Sequence, residues 1–375
     1  MKYTALRDVC EINMGQSPDS SSYNEEGRGI PFFQGNADFG ERNPVTRVWC
    51  DAPSKIANAN DILISVRAPI GAVNYAAETC CIGRGLAAIT PDLNRVSSEY
   101  IFWLLKGKNA ELNSKGTGST FKAINRKALE EIQVPDVSLK EQAAHAANLE
   151  TAYMIIQMRK QQLSTLDDLI KARFVEMFGD LRSNPRGWPV YCFEDITEII
   201  TDGEHATPRR VDQGIYLLSA RNVLDHALQL DDVDSIDQDE YDRIAKRIVP
   251  QAGDVLISCS GSVGRCCTVP EGLKFQMVRS AALLRFDKRV LPVYAEYMIT
   301  SDDLQDQINS SKTASSQANL FQGKIAKLKG FVPPIAQQEQ FVAFVSQIDK
   351  SKSVIQKSLD ETQLLFDSLM QEYFG

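Results

Sequence analysis

The sequence predicts an α+β fold built twice: two mixed α/β domains, each followed by a long helix, with the two helices packed on each other. Three observations predict it. Motifs return about 195 residues on, the mark of a duplicated domain and not of a short-period solenoid. Apolar residues step by seven along two long segments. At 375 residues the chain has room for two or three domains, each able to bury its own core.

The returning motifs fix the halves. Asp61-Ile62-Leu63-Ile64-Ser65, followed by Gly71, returns as Asp254-Val255-Leu256-Ile257-Ser258, followed by Gly264. Val134-Pro135, reaching Glu141-Gln142, returns as Val332-Pro333, reaching Glu339-Gln340. Met177-Phe178-Gly179 returns as Tyr373-Phe374-Gly375. The boundaries expected from them are 1–136 for the first domain and 137–180 for its helix, then 181–334 for the second domain and 335–375 for its helix.

Within each domain the elements follow in the same order. Ile62-Leu63-Ile64-Ser65-Val66 and Val255-Leu256-Ile257-Ser258 are apolar runs entered through turns at Asn60-Asp61 and Gly253-Asp254, which reads as buried strands. Residues 100–105 and 294–299 follow proline-containing turns and read as short helices. Polar loops are expected next, at 113–120 and 309–316.

The segments 137–179 and 335–374 are free of internal Pro and Gly until their ends. Leu149, Ile156, Leu163, Ile170 and Met177 form one seam. In the second copy Phe341, Ile348, Ile355 and Leu369 keep the step, with Thr362 as the polar member. Val345, Leu359, Phe366 and Tyr373 form a second row, interrupted by Lys352. A seven-residue period sustained over several heptads is a coiled-coil seam. The simpler reading is an amphipathic helix lying on its own domain, but two such helices make mutual pairing more economical.

Bulk properties exclude several classes. Hydrophobic residues at 43% and charged residues at 24% are ordinary for a globular protein. No apolar run reaches the length of a membrane span, and the N-terminus lacks a signal-peptide pattern, so a cytoplasmic protein is expected. The eight cysteines include Cys80-Cys81 and Cys266-Cys267 but no C-x-x-C, which argues for reduced thiols and against structural zinc.

The net charge of −8 is concentrated. Between Asp225 and Asp242 lie eight acids and no Lys or Arg, a run that reads as a solvated loop. The remainder is balanced and can present basic faces. Phosphate-cradling, dinucleotide and nucleophile-elbow motifs are absent, and His145, His205 and His226 are scattered. His145 is expected on a helix surface or seam. No catalytic constellation emerges.

The chain resembles the specificity subunits of type I restriction–modification systems over essentially its whole length. The residues that carry the resemblance are Thr201-Asp202-Gly203-Glu204-His205-Ala206-Thr207-Pro208, similar to the family's Asp-Gly-x-His-x-Thr-Pro loop, with Gly253 to Ser258 and Gly261 and Gly264. Val332-Pro333-Pro334-Ile335 leading to Gln338-Glu339-Gln340 completes the pattern. In the first half Gly15-Gln16-Ser17-Pro18 stands where the loop would be, and Val134-Pro135-Asp136-Val137 lacks the second proline.

The resemblance implies two pseudo-twofold-related target-recognition domains separated by two long helices packed as an antiparallel coiled coil. It also implies a subunit without its own catalysis that reads double-stranded DNA. Its partners would be two methylation subunits, which supply S-adenosylmethionine, and restriction/translocase subunits in the restricting complex. No cofactor is expected in this chain, and the setting is a prokaryotic cytoplasm. Each domain would read one half of a split, asymmetric site, and the helices would set the gap. Two modules on a rigid antiparallel helix pair suit half-sites about one helical turn apart, roughly 34 Å.

Base edges are read by polar and basic side chains on loops, and phosphates by further Lys and Arg. The candidates in the first domain are Gln16, Gln34, Asn36, Arg67, Arg84, Lys115, Thr117 and Lys122. In the second they are His205, Thr207, Arg209, Arg210, Arg221, Asn222, Ser260, Arg265, Arg279, Lys312 and Gln317. The alternative for each is a solvated or turn-stabilising polar group. The alternative for the whole chain is a coiled-coil scaffold or adaptor without DNA recognition.

Overall fold

The computed structural model describes residues 2–117, 122–311 and 319–375. The chain divides into two compact units. The first comprises Met1–Lys160 and Gln356–Gly375, the second Gln161–Ile355. The division falls inside both long helices, Leu139–Phe178 and Ile335–Phe374, each of 40 residues.

Both units carry the same four-stranded antiparallel sheet. In the first the order is Cys10–Met14, Leu86–Pro91, Ile62–Ser65, Val73–Tyr75. In the second it is Thr197–Asp202, Ala281–Phe286, Val255–Ser258, Cys266–Thr268. The two apolar runs expected as buried strands are buried at every position. Their sequence motif is explained by its neighbours. Asp61 accepts from the Asn58 backbone N–H at 2.7 Å, and Asp254 from that of Gln251 at 2.7 Å. The Ser65 hydroxyl donates to Pro69 O, and the Ser258 hydroxyl to Ser262 O, both at 2.5 Å. Each serine so closes the turn that ends at Gly71 or Gly264. The repeated motif is a strand with its two turns.

A second sheet, of five short strands in the first unit and three in the second, accompanies each of these. Ile30–Phe33 runs parallel to Cys80–Ile82 in the first unit, and Ile215–Leu218 parallel to Phe275–Met277 in the second. The helix Ser98–Gly107 has residues 100–105 all buried, so it is a core helix and not an amphipathic one. Pro292–Ile299 has the same place in the second unit, with Tyr294 and Ile299 buried.

One side chain joins each short helix to the long one that follows. Gln142 accepts from Ser97 N at 2.8 Å and donates to Arg95 O and Val137 O. Gln338 accepts from Leu291 N at 2.9 Å and donates to Arg289 O and Pro333 O. Both glutamines are buried. This corrects the register taken from sequence: Gln142 corresponds to Gln338 and not to Gln340, because the second Pro-containing connection precedes its helix by a different interval.

The polar loops expected at 113–120 and 309–316 also begin later than their composition suggests. Asn113 and Ser114 belong to the helix Asn109–Ser114, and residues 309–311 to the helix Asp302–Ser311. Buried Leu112, and Leu304 with Ile308, anchor these helices. Asn109 and Asn113 both donate to Ile70 O, which gives two polar side chains a structural task.

Within each unit the two long-helix segments run antiparallel. In the first, His145 stacks on Tyr373 at 3.8 Å, Asn148 donates to the Tyr373 hydroxyl at 3.0 Å, and Tyr153 and Phe366 both meet Trp103. In the second, Phe174 and Phe178 meet Phe341, and Lys352 pairs with Asp167 at 2.5 Å. Leu149, Ile156, Ile170, Phe341, Val345 and Leu359 are buried; Leu163, Met177, Ile348, Ile355, Phe366 and Leu369 are half-buried. Gly179, at φ +81°, ends the first long helix by donating to Val175 O.

All eight cysteines are free thiols. Burial pushes the Cys80 thiol up to about 12. No helix among the described residues is long and apolar enough to cross a membrane.

Candidate nucleic-acid interface

Backbone hydrogen bonds gather the candidates of the first unit on one rim. The strand Cys10–Met14 leads into Gly15, whose N–H donates to Leu86 O, and Gln16, whose N–H donates to Ile82 O. A side chain at Gly15 would meet Gly83 O at 2.2 Å, so this approach requires glycine. The strand Ile30–Phe33 leads into Gln34, whose carbonyl accepts from Gly85 N. Arg84 lies between these contacts, with its N–H on the Ser17 hydroxyl. Val66 N donates to Gly85 O and Ile124 N to Val66 O, which brings Arg67 beside Lys122. Thr117 pairs with Ala123 in both directions. Four strand ends and one returning segment therefore place Gln16, Gln34, Arg67, Arg84, Thr117 and Lys122 together.

The second unit repeats the main bonds of this wiring. Gly203 N donates to Ala281 O, and Glu204 N to Met277 O. A side chain at Gly203 would meet Met277 O at 2.3 Å. Val278 N donates to Leu218 O, Cys259 N to Ser280 O and Leu320 N to Cys259 O. Gln16 thus corresponds to Glu204, Arg84 to Arg279 and Arg67 to Ser260. A 3-10 turn follows the parallel strand in each unit, Asn36–Asp38 and Ala220–Asn222, and the first unit has one additional residue, Gln34, before it.

The side chains on this shared frame differ in charge state. Arg67, Arg84 and Lys122 are exposed and have no carboxylate partner among the described residues. Lys115 pairs with Glu111 at 2.6 Å. In the second unit three of the five candidate arginines are engaged, with two arginines that were not candidates. Arg209 pairs with Asp237, Arg210 with Asp234 at 2.7 Å, and Arg221 with Asp234 at 3.1 Å and Asp232 at 3.5 Å. Arg243 pairs with Glu204 and Glu240, and Arg247 with Asp202, which also meets His205 at 2.7 Å. Arg279 remains exposed and without a carboxylate partner among the described residues.

The acidic run is therefore not the free loop that its composition suggests. Asp234 opens the strand Asp234–Ile236, and Asp237 caps the helix Gln238–Ala245 by accepting from Glu240 N at 2.9 Å. That backbone bond, with Arg209 beside it, lowers the Asp237 pKa below its ordinary value. The Arg243 guanidinium does the same for Glu240.

One candidate is contradicted outright. Asn222 is 0% exposed, and its side chain accepts from the Ser219 N–H and hydroxyl and donates to Gln229 O and Asp232 O. It closes the 3-10 turn and is not a reader. Asn36 is half-buried in the equivalent turn, Ser260 half-buried at the place of Arg67, and Arg265 half-buried at the place of Ala72. His205 and Thr207 are exposed. Lys312 and Gln317 lie outside the described residues. Sequence reasoning missed Glu204, Arg243, Arg247 and Asp234. Arg243, in the last turn of the helix Gln238–Ala245, and Arg247, just beyond its end, were the available signal.

Comparison with known proteins agrees with this arrangement. A family profile described as type I restriction modification DNA specificity domain matches residues 1–167 and again 185–362. The putative type I restriction enzyme MjaX specificity subunit of Methanocaldococcus jannaschii is 42% identical over 157 residues, which is 42% of this chain and 37% of that one. The type I restriction enzyme MjaIX specificity subunit of the same organism is 26% identical over 232 residues, 55% of this chain and 53% of that one. The chain spans about half, or less, of the length of these two relatives. The type I restriction enzyme EcoBI specificity subunit of Escherichia coli is 20% identical over 398 residues, 98% of this chain and 83% of that one. Among solved structures, the S subunit of a type I restriction–modification system from M. genitalium shares the fold at a TM-score of 0.61 and 14% identity, covering 100% of this chain and 96% of that one. A chain from a study of type I R-M complex assembly and conformational transition does so at 0.59 and 16% identity, covering 100% and 97%. With the profile matched twice and along most of its length, the chain belongs to the family of type I restriction–modification DNA specificity domains.

Proposed function

We propose that this chain is the DNA sequence-specificity subunit of a type I restriction–modification complex and that it does no chemistry itself. Residues 1–136 and 181–334 are its recognition domains, each reading one half of a bipartite, asymmetric site. Residues 137–180 and 335–375 set the gap and dock two methylation subunits. Exposed apolar residues on those helices, Met154, Met158 and Leu364 in the first unit and Leu169 and Val354 in the second, suit such docking. The methylation subunits supply S-adenosylmethionine, restriction/translocase subunits join in the restricting form, and the complex works in a prokaryotic cytoplasm.

The observation that carries this reading is the duplicated rim. One backbone frame presents Gln16, Arg67 and Arg84 in one unit and Glu204, Ser260 and Arg279 in the other, and the first unit adds Gln34. A shared frame with different polar side chains suits two half-sites of different sequence. An adaptor without DNA recognition has no use for it.

The test is co-expression with a methylation subunit, followed by single-molecule sequencing of the host genome. A new split, asymmetric methylated motif is expected. A well-formed complex that adds no methylation would favour the adaptor.

A further inference from the structure

We propose that the second unit reads guanine, through Arg210 and Arg221 held in place by the one carboxylate of Asp234. This rests on the DNA-reading function above and names the base that one domain recognises.

The three residues are fixed by backbone before any DNA arrives. Asp234 pairs across the sheet with Leu217, one residue from the end of the strand that opens the rim. The Val211 N–H donates to Ser235 O at 2.9 Å, which secures Arg210 alongside. Arg221 sits in the 3-10 turn Ala220–Asn222, closed by Asn222, and Ala220 N donates to the Ser280 hydroxyl next to Arg279. Both guanidinium groups are thus on the rim, with side chains 46% and 51% exposed.

The way they bond to Asp234 matters more than the bonding itself. Arg210 donates through Nε to Oδ2 at 2.7 Å, and its two Nη groups take no part in that bond. Arg221 donates to Oδ1 at 3.1 Å from Nη2, and its Nη1 lies 3.5 Å from Asp232 Oδ2, so each of its Nη groups has its remaining N–H for a base. Guanine presents O6 and N7 side by side in the major groove, two acceptors that match the paired donors of one guanidinium fork. A fork held by a carboxylate loses little side-chain freedom on contact. Asp234 is therefore a positioning residue for both arginines.

A phosphate would be the wrong ligand for this arrangement. Asp232, Asp234 and Asp237 lie among the arginines, and their charge repels a second anion. A guanine edge carries no net charge. Arg67, Arg84 and Lys122 of the first unit, without such carboxylates, suit phosphate. Ala37 occupies the place of Arg221 in the first unit's turn, so the guanine reading belongs to one half-site only.

The experiment compares methylated motifs from complexes carrying the wild-type chain, R210K, R221K and D234N. Lysine keeps the charge and loses the fork. The wild-type motif is expected to hold guanine in one half-site. R210K or R221K should then lower the preference for it by roughly 5- to 150-fold, the discrimination that one bidentate pair supplies. D234N should widen the same position, with the other half-site unchanged. If D234N fails to fold, the two lysine variants carry the test. Weaker methylation at an unaltered motif would overturn the proposal, since loss of a phosphate contact or of loop stability acts on all sequences alike. Absence of methylation by the wild-type complex would overturn the DNA-reading function and the guanine assignment together.

Discussion

The two rims share a backbone and differ in how their cations are held. In the first unit Arg67, Arg84 and Lys122 project without carboxylate partners among the described residues, so their charge is available to an incoming polyanion. In the second, Arg209, Arg210, Arg221, Arg243 and Arg247 are each tied to an aspartate or glutamate. Exposed ion pairs of this kind add only about 0.2–1 kcal/mol each to stability. Their effect is on orientation. On the DNA-reading function proposed above, one duplicated frame would serve two electrostatic tasks, attraction in the first unit and alignment in the second.

Salt titration of DNA binding by the assembled complex should show this most strongly. Replacing Arg67, Arg84 and Lys122 together with Ala should reduce the slope of log K against log salt by about 2–3 units, since each phosphate contact contributes roughly 0.9. Replacing Arg209, Arg210 and Arg221 with Ala should reduce it by about one unit or less, because paired arginines release few counterions. Equal reductions would erase the distinction between the units.

Spacing tests what the units share. Inserting four residues, about 6 Å of helix, into a long helix should move the tolerated gap between half-sites by one or two base pairs while both half-sites persist. Methylation at the original spacing would remove the helices as the ruler.

The next contrast is between two braces that should behave alike. Gln142→Ala and Gln338→Ala each leave one part-buried backbone N–H and two carbonyls without their partner. Each should cost about 1–3 kcal/mol, read from the denaturant midpoint. A large inequality would mean that the repeat is less symmetric in energy than in hydrogen bonding.

The smallest effect is in acid. The folded-state pKa values of Asp237 and Glu240 lie below their ordinary 3.8 and 4.5. Their contribution to stability is therefore complete above that range and disappears as pH falls through the lowered values. Amide exchange at Glu240, whose N–H is held by Asp237, should quicken there. Protection of that amide unchanged down to pH 2 would show that the cap does not depend on the carboxylate.

The fold was legible because its signals are periodic. A step of seven over several turns, a run such as Ile62-Leu63-Ile64, and their recurrence report burial directly. The rim was legible in part. Gln16, Arg67, Arg84 and Arg279 follow strand ends, where loop residues face solvent. Asn222 misled because asparagine suits both a base edge and a closed turn, and only the four contacts around it decide. The acidic run misled for a related reason. Charge counts showed eight acids without neighbouring bases in sequence, while their arginines come from positions 209, 210 and 221, brought alongside by strand pairing.

The bonds that build each rim run between main-chain atoms, through Gly15, Ile82, Gly85 and Val66 in one unit and Gly203, Met277, Ser280 and Cys259 in the other. Side chains at 16, 34, 67 and 84 take no part in them. A substitution there leaves the architecture intact and alters only what is presented. The molecule thus resembles a printing frame with interchangeable type: its text can be reset one character at a time, and the frame bears no cost for the revision.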